Sequence, residues 1–226
     1  MIAREVQCGV YLNAGREVAV ASTKSFTSQS IVLLMIAIWF AQNKKTHECK
    51  RHRIIKGLRC LPYDIQSVVT KNLKPCKEIA KFLFTKDSCF SLGKHKNKAI
   101  AREGSLKIKE IGYIHAEGYS SSALKHGPFS LLGENTPAII IKAKDEYENK
   151  INNVIEEVTA RNTPIIEITD TVSHKYSKFV INIDKNEMCF GILANIPIQL
   201  IAYYIALCKG HNPDKPRNLA KVVTVE

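Results

Sequence analysis

Short runs rich in β-branched residues alternate with helical text along the second half of this chain. Ala138 to Ile141, Ile165 to Thr169 and Val180 to Ile183 read as strands, and the segments near Glu146 to Arg161 and Gly191 to Lys209 read as helices. The same order occurs twice before them. Cys8 to Leu12 reads as a strand, with turn residues Asn13-Ala14-Gly15, followed by a helix opened by Ala21-Ser22-Thr23-Lys24 and reaching about Gln42, with Ser22 or Thr23 as cap. Cys89 to Leu92 is a second strand, ended by Gly93-Lys94-His95 and followed by a helix over Ala99 to Gly112. Strands alternating with helices imply parallel crossover units, so the predicted class is α/β, a three-layer α/β/α sandwich with a parallel sheet. Between the two halves, Thr46 to Phe84 is helical text with Ile54, Ile55, Leu58, Leu61, Ile65 and Val68 at helical intervals, interrupted around Pro62 and at Lys74-Pro75.

Composition narrows the function classes. A hydrophobic share of 45% and a charged share of 24% are ordinary for a folded soluble chain. The net charge of +12 suits a polyanion or an anionic small molecule. Much of it lies in Lys44, Lys45, Lys50, Arg51, Arg53, Lys56 and Arg59, set against Glu48, without aromatic interleaving or a recognition motif. A solvated helical face is therefore expected there, and no nucleic acid partner. The seven cysteines form neither Cys-x-x-Cys pairs nor a metal pattern with histidine, and read as reduced thiols of a cytoplasmic protein that holds no metal. Met1 to Glu5 shows no signal-peptide pattern. The apolar run Ile31 to Ala41 is too short to span a bilayer and reads as part of a core helix, so no membrane association is expected.

The densest chemistry lies between Glu103 and Pro128. With Ala99 to Gly112 helical, Lys107 and Glu110 are three apart and Glu103 lies seven before Glu110, which places all three on one face. Such a face could carry a general base with a cation beside it, but spacing alone favours a solvated Glu-Lys ladder.

Three motifs in order decide between those readings. They are Glu103-Gly104-Ser105-Leu106-Lys107-Ile108-Lys109-Glu110 through His115-Ala116-Glu117 to Leu124-Lys125-His126-Gly127-Pro128; Cys8-Gly9-Val10-Tyr11 through Val20-Ala21-Ser22-Thr23-Lys24; and the end Pro216-Arg217-Asn218-Leu219-Ala220-Lys221 to Glu226. Over essentially its whole length the chain resembles the isomerase (SIS) domain of glutamine–fructose-6-phosphate aminotransferase, also called glucosamine-6-phosphate synthase. That resemblance implies the C-terminal part of a first SIS subdomain over residues 1–45, a helical linker over 46–84, a complete second subdomain over 85–210 and a tail, 211–226, folded over the active site. It implies fructose 6-phosphate as substrate, glucosamine 6-phosphate as product, a homodimer and no cofactor. Glu110 would move the proton between neighbouring sugar carbons, with Lys107 beside it. His126 would open the ring in the neighbouring subunit's site, and Lys221 would form an imine with the open ketose. Val20, Ser22, Ala220 and Glu117 would line or orient the pocket.

Departures from the family pattern are Lys94 and His95 where the family has Gly-Arg-Gly, and Ala123 where it commonly has Glu. The phosphate-gripping Ser-Gln-Ser-Gly loop and the glutaminase cysteine of the family are expected to lie outside this chain, because neither Ser25 to Ser30 nor Ser120 to Ser122 carries the glycine, and Cys8 falls within the predicted strand. A sugar-phosphate-sensing module without catalysis is the rival reading, and it would have no use for His126 or Lys221.

Overall fold

The structure, a computed structural model, describes residues 2–221. After a single helical turn, α1 (Ile2–Glu5), come α2 (Lys24–Asn43), α3 (Glu48–Leu83), β1 (Ser88–Gly93), α4 (Asn97–Gly112), β2 (His115–Ser120), β3 (Ala138–Lys142), α5 (Glu148–Thr159), β4 (Ile165–Thr169), β5 (Phe179–Asn182) and α6 (Phe190–Cys208), with two 3-10 turns between β2 and β3. All strand pairings are parallel, in the order β2-β1-β3-β4-β5. Alternate side chains of the strands feed two cores. Cys89, Ile139, Ile141, Ile166 and Ile168 meet α3, α4 and α6 on one face, whereas Phe90, Leu92, Ala138, Ile140 and Ile165 meet α5 and the 3-10 turns on the other. The α/β sandwich predicted from the alternation is what the chain adopts.

Three expectations are corrected. Residues Cys8 to Leu12 form no strand: they lie almost entirely exposed, away from the sheet, and a strand without a partner leaves its backbone groups to water. Pro62 and Pro75 do not interrupt the long helical segment, since α3 runs through both. Leu61, Val68, Asn72, Cys76, Ile79 and Leu83 form a buried stripe at intervals of seven, four, four, three and four residues that spans the two prolines. Pro62 itself is exposed, so the carbonyl that loses its partner can turn to water. Finally, Ile31 to Ala41 is not core: α2 has no buried residue, and Leu33, Met35, Trp39 and Phe40 are exposed.

α4 and α6 run parallel and touch through glycines. A Cβ on Gly104 would lie 2.7 Å from Ile198 Cγ2 and one on Gly112 would lie 3.0 Å from Ile205 Cγ2, so bare backbone lets the two helices close together. This contact fixes the pitch of α4, which carries the acidic cluster.

On the α5 face, Lys142 and Glu167 form a fully buried ion pair at 2.7 Å on adjacent strands. Lys142 also donates to the Val172 carbonyl at 2.7 Å, while Glu167 accepts from the His174 amide at 2.8 Å and from the Ser177 hydroxyl. The pair thereby ties the 170–178 loop down over the carboxyl end of the sheet.

Candidate active site

Helical spacing brings Glu103, Lys107 and Glu110 together. The Lys107 ammonium is buried and donates to Glu110 Oε2 at 2.7 Å; Glu103 Oε1 lies 3.4 Å away on its other side. A lysine that is 3% exposed between carboxylates 14% and 22% exposed is not a solvated ladder. Burial pushes the Glu103 carboxyl above its usual range, and Glu110 adds to this against the opposing pull of Lys107. Glu103 is therefore a group of the site to which sequence reasoning assigned no role beyond its place on the face. Its signal was the same three- and four-residue spacing.

Phe26, in the first turn of α2, lines with Glu103 a cleft of about 520 Å³ that also takes His95, Lys96, Lys98, Arg102 and Leu106. Its wall is cationic except for Glu103, a setting that favours an anionic ligand.

A second group of residues gathers where the tail returns to the start of the chain. Tyr113, just beyond α4, accepts from the Arg217 amide at 2.7 Å, lies under the Arg217 guanidinium at 4.5 Å and packs on His211 at 4.7 Å. The Val20 amide donates to the Asp214 carbonyl at 3.3 Å. Lys221 then donates to the Ala19 carbonyl at 2.8 Å and to Glu17 Oε2 at 3.1 Å. Val20, Ser22, Ala220 and Lys221 are thus brought onto the 17–25 loop or the tail beside it. Residues 222–226 lie outside the described part of the chain.

Neither Ser22 nor Thr23 caps α2 through its side chain. Glu17 does so from upstream: its Oε1 accepts from the Thr23 amide at 3.0 Å and the Ser25 amide at 3.2 Å, and its Oε2 accepts from the Ser25 hydroxyl at 2.5 Å. Ser22 Oγ lies 2.6 Å from Ser25 Oγ. Burial pushes the Glu17 carboxyl up, but Ser25, the two amides and Lys221 together bring it down to about 2. Sequence reasoning missed Glu17 altogether, because a cap seven residues before the helix has no fixed spacing.

Glu117 and His126 stand apart. Glu117, on edge strand β2, accepts from the Tyr119 hydroxyl, lies 3.5 Å from His115 Nε2, and lines a separate cleft with Arg102, Ser105 and Lys109. His126 is exposed at the end of a 3-10 turn that follows β2. Glu110 lies on α4, which packs into the core on one face of the sheet, whereas the 3-10 turn leading to His126 packs Leu124 into the core on the other face and Lys125 beside it pairs with Glu157 of α5, so the sheet stands between the two elements within one chain. Among the described residues no group of three or more histidine, cysteine or acidic side chains is placed to hold a metal.

A parallel α/β sandwich bearing a buried Glu-Lys-Glu cluster on the helix after β1 is the class that fold and site define. The SIS domain family matches residues 82–209, more than half of the chain, and the chain belongs to that family. It is 44% identical over 227 residues to a probable glutamine–fructose-6-phosphate aminotransferase [isomerizing] of Acanthamoeba polyphaga mimivirus, aligning all of this chain with 37% of that protein. To the human glutamine–fructose-6-phosphate aminotransferase [isomerizing] 2 it is 42% identical, again over the whole chain and 33% of that protein. The chain thus spans about a third of the length of these curated relatives. Among solved structures, the C-terminal domain of glucosamine-fructose-6-phosphate aminotransferase from Francisella tularensis superposes with a TM-score of 0.83 at 31% identity, covering 89% of this chain and 58% of that one. Tagatose-6-phosphate ketose/aldose isomerase from Escherichia coli shares the fold at a TM-score of 0.68 and 19% identity, covering 87% and 53%.

Proposed function

We propose that this chain is the isomerase part of a cytoplasmic glutamine–fructose-6-phosphate aminotransferase, taking fructose 6-phosphate to glucosamine 6-phosphate with ammonia that another part of the protein releases from glutamine. The observation that carries this reading is the buried Lys107 held at 2.7 Å from Glu110, at the same end of the sheet to which Tyr113 anchors the tail bearing Lys221. The identity to enzymes of that name over the whole chain supports the substrate assignment.

In this reading His126 opens the ring sugar, a proton exchange that imidazole performs near neutrality. The Lys221 amine then adds to the ketose carbonyl carbon. The carbonyl oxygen leaves as water and a protonated imine remains; ammonia then adds to the imine carbon and the lysine amine leaves, which frees Lys221 and leaves the sugar imine. Glu110 takes the proton from one sugar carbon and returns it to its neighbour, while Lys107 balances its charge and faces the oxygen on which negative charge develops. Because the elements that carry Glu110 and His126 pack on opposite faces of the sheet within one chain, the histidine serves the site of a second copy in this reading, and the working unit is a homodimer. Val20, Ser22 and Ala220 contact the sugar, and Glu117 orients the segment that leads to His126.

The test is Glu110→Gln in the catalytically complete protein. Isomerisation is expected to be lost while fructose 6-phosphate still binds; turnover that survives assigns the proton transfer elsewhere. Glu103→Gln is the companion variant, because Glu103 is the carboxyl of the cluster that burial pushes upward. If Glu103→Gln abolishes turnover and Glu110→Gln does not, the two carboxylates exchange roles.

A further inference from the structure

We propose that Glu17 is the positioning residue for Lys221, holding the tail amine beside the start of α2; this rests on the reading of Lys221 as the imine-forming amine. The two residues are 204 positions apart, so nothing local brings them together. Glu17 is 12% exposed and is held by the α2 amides and the Ser25 hydroxyl, which leaves Lys221 as its one partner from outside the 17–25 segment among the described residues. The amine is gripped on two sides, by Glu17 Oε2 and by the Ala19 carbonyl.

The contact continues inward. Lys221, Glu17, Ser25 and Ser22 form an unbroken run of hydrogen bonds, from the tail amine to the serine proposed to touch the sugar. Glu17 itself is a poor proton acceptor, because the α2 amides and Ser25 stabilise its ionised form. It therefore sets where the amine waits and is not the base that deprotonates it. The geometry also accounts for a carboxylate rather than the commoner serine at this cap: a hydroxyl can cap a helix, but it cannot at the same time hold an ammonium through a charge-assisted bond.

The experiment compares the wild-type chain with Glu17→Gln and with Ser25→Ala, which weakens the cap but keeps the charge. Brief acetic anhydride labelling, read peptide by peptide, reports the reactivity of Lys221 against the other lysines. Glu17→Gln is expected to raise relative labelling of Lys221 about tenfold, the scale of one charge-assisted hydrogen bond, and Ser25→Ala to leave it near wild type. Labelling unchanged in Glu17→Gln, or raised equally in Ser25→Ala, overturns the proposal. Borohydride trapping with fructose 6-phosphate provides the second measurement. A wild-type adduct on Lys221 that forms about tenfold more slowly in Glu17→Gln supports the positioning role. A wild-type adduct with an unchanged rate in the variant sinks the positioning role alone. The absence of any wild-type adduct at Lys221 sinks the reading of Lys221 and the positioning role with it.

Discussion

Lys107 is the residue on which the acidic cluster depends. Replacing it with Met leaves Glu103 and Glu110 without a shared cation in a largely buried place, and removal of one member of a buried ion pair costs about 3 kcal/mol or more. Chemical denaturation of Lys107→Met is expected to show that loss, with Lys107→Arg recovering part of it. Glu17 gives a second expectation at this scale. Its carboxyl is held near 2 in the folded chain against an ordinary 4.5, so the stability it contributes is fully present above about 4.5 and disappears as the pH falls toward 2. The difference in thermal stability between wild type and Glu17→Gln should shrink across that window, and a difference that stays constant through it would show that the carboxylate is not the source. The cluster on α4 was legible in the sequence because helical spacing alone determines which side chains share a face. Glu17 was not legible, because a cap so far ahead of its helix has no fixed spacing and its tail partner lies 204 residues away.

At the level of elements, the α4–α6 contact is the tightest constraint on where the cluster sits. A methyl group on Gly104 would meet Ile198 at 2.7 Å, so Gly104→Ala is expected to cost roughly 1–3 kcal/mol by forcing the helices apart. The double variant with Ile198→Val should regain part of that, as measured by denaturant midpoints. The strands β3 and β4 were readable from their β-branched runs because every residue of both is buried. β2 was not, since His115-Ala116-Glu117-Gly118-Tyr119-Ser120 is an edge strand in which Ala116 alone is fully buried. α3 shows the opposite case. Its stripe kept phase through Pro62 and Pro75, and the period of the buried residues was a better guide than the prolines. The Cys8 to Leu12 run had strand composition but no neighbour to pair with, and composition carries no information about neighbours.

Taken whole, one copy places the Glu110 cluster on the helix packed against one face of the sheet and the turn before His126 against the other face. If His126 works in the partner's site, mixing Glu110→Gln and His126→Asn copies of the catalytically complete protein should restore about a quarter of the wild-type turnover, because half of randomly formed dimers are mixed and each has one intact site. Two inactive variants that stay inactive after exchange would place both groups in one subunit's site instead. The fold class and the side-chain cluster on α4 followed from pattern and spacing, whereas the separation of Glu110 from His126 required knowing which face of the sheet each element packs on.

The Lys142–Glu167 pair has a consequence for how the molecule meets its solvent. Sealed beneath the 170–178 loop, these two charges are out of reach of dissolved ions, so ionic strength acts on the surplus of twelve positive charges at the periphery and leaves the interior bond untouched. Buffer salt thus relieves repulsion among the outer lysines and arginines without loosening the roof over the sheet.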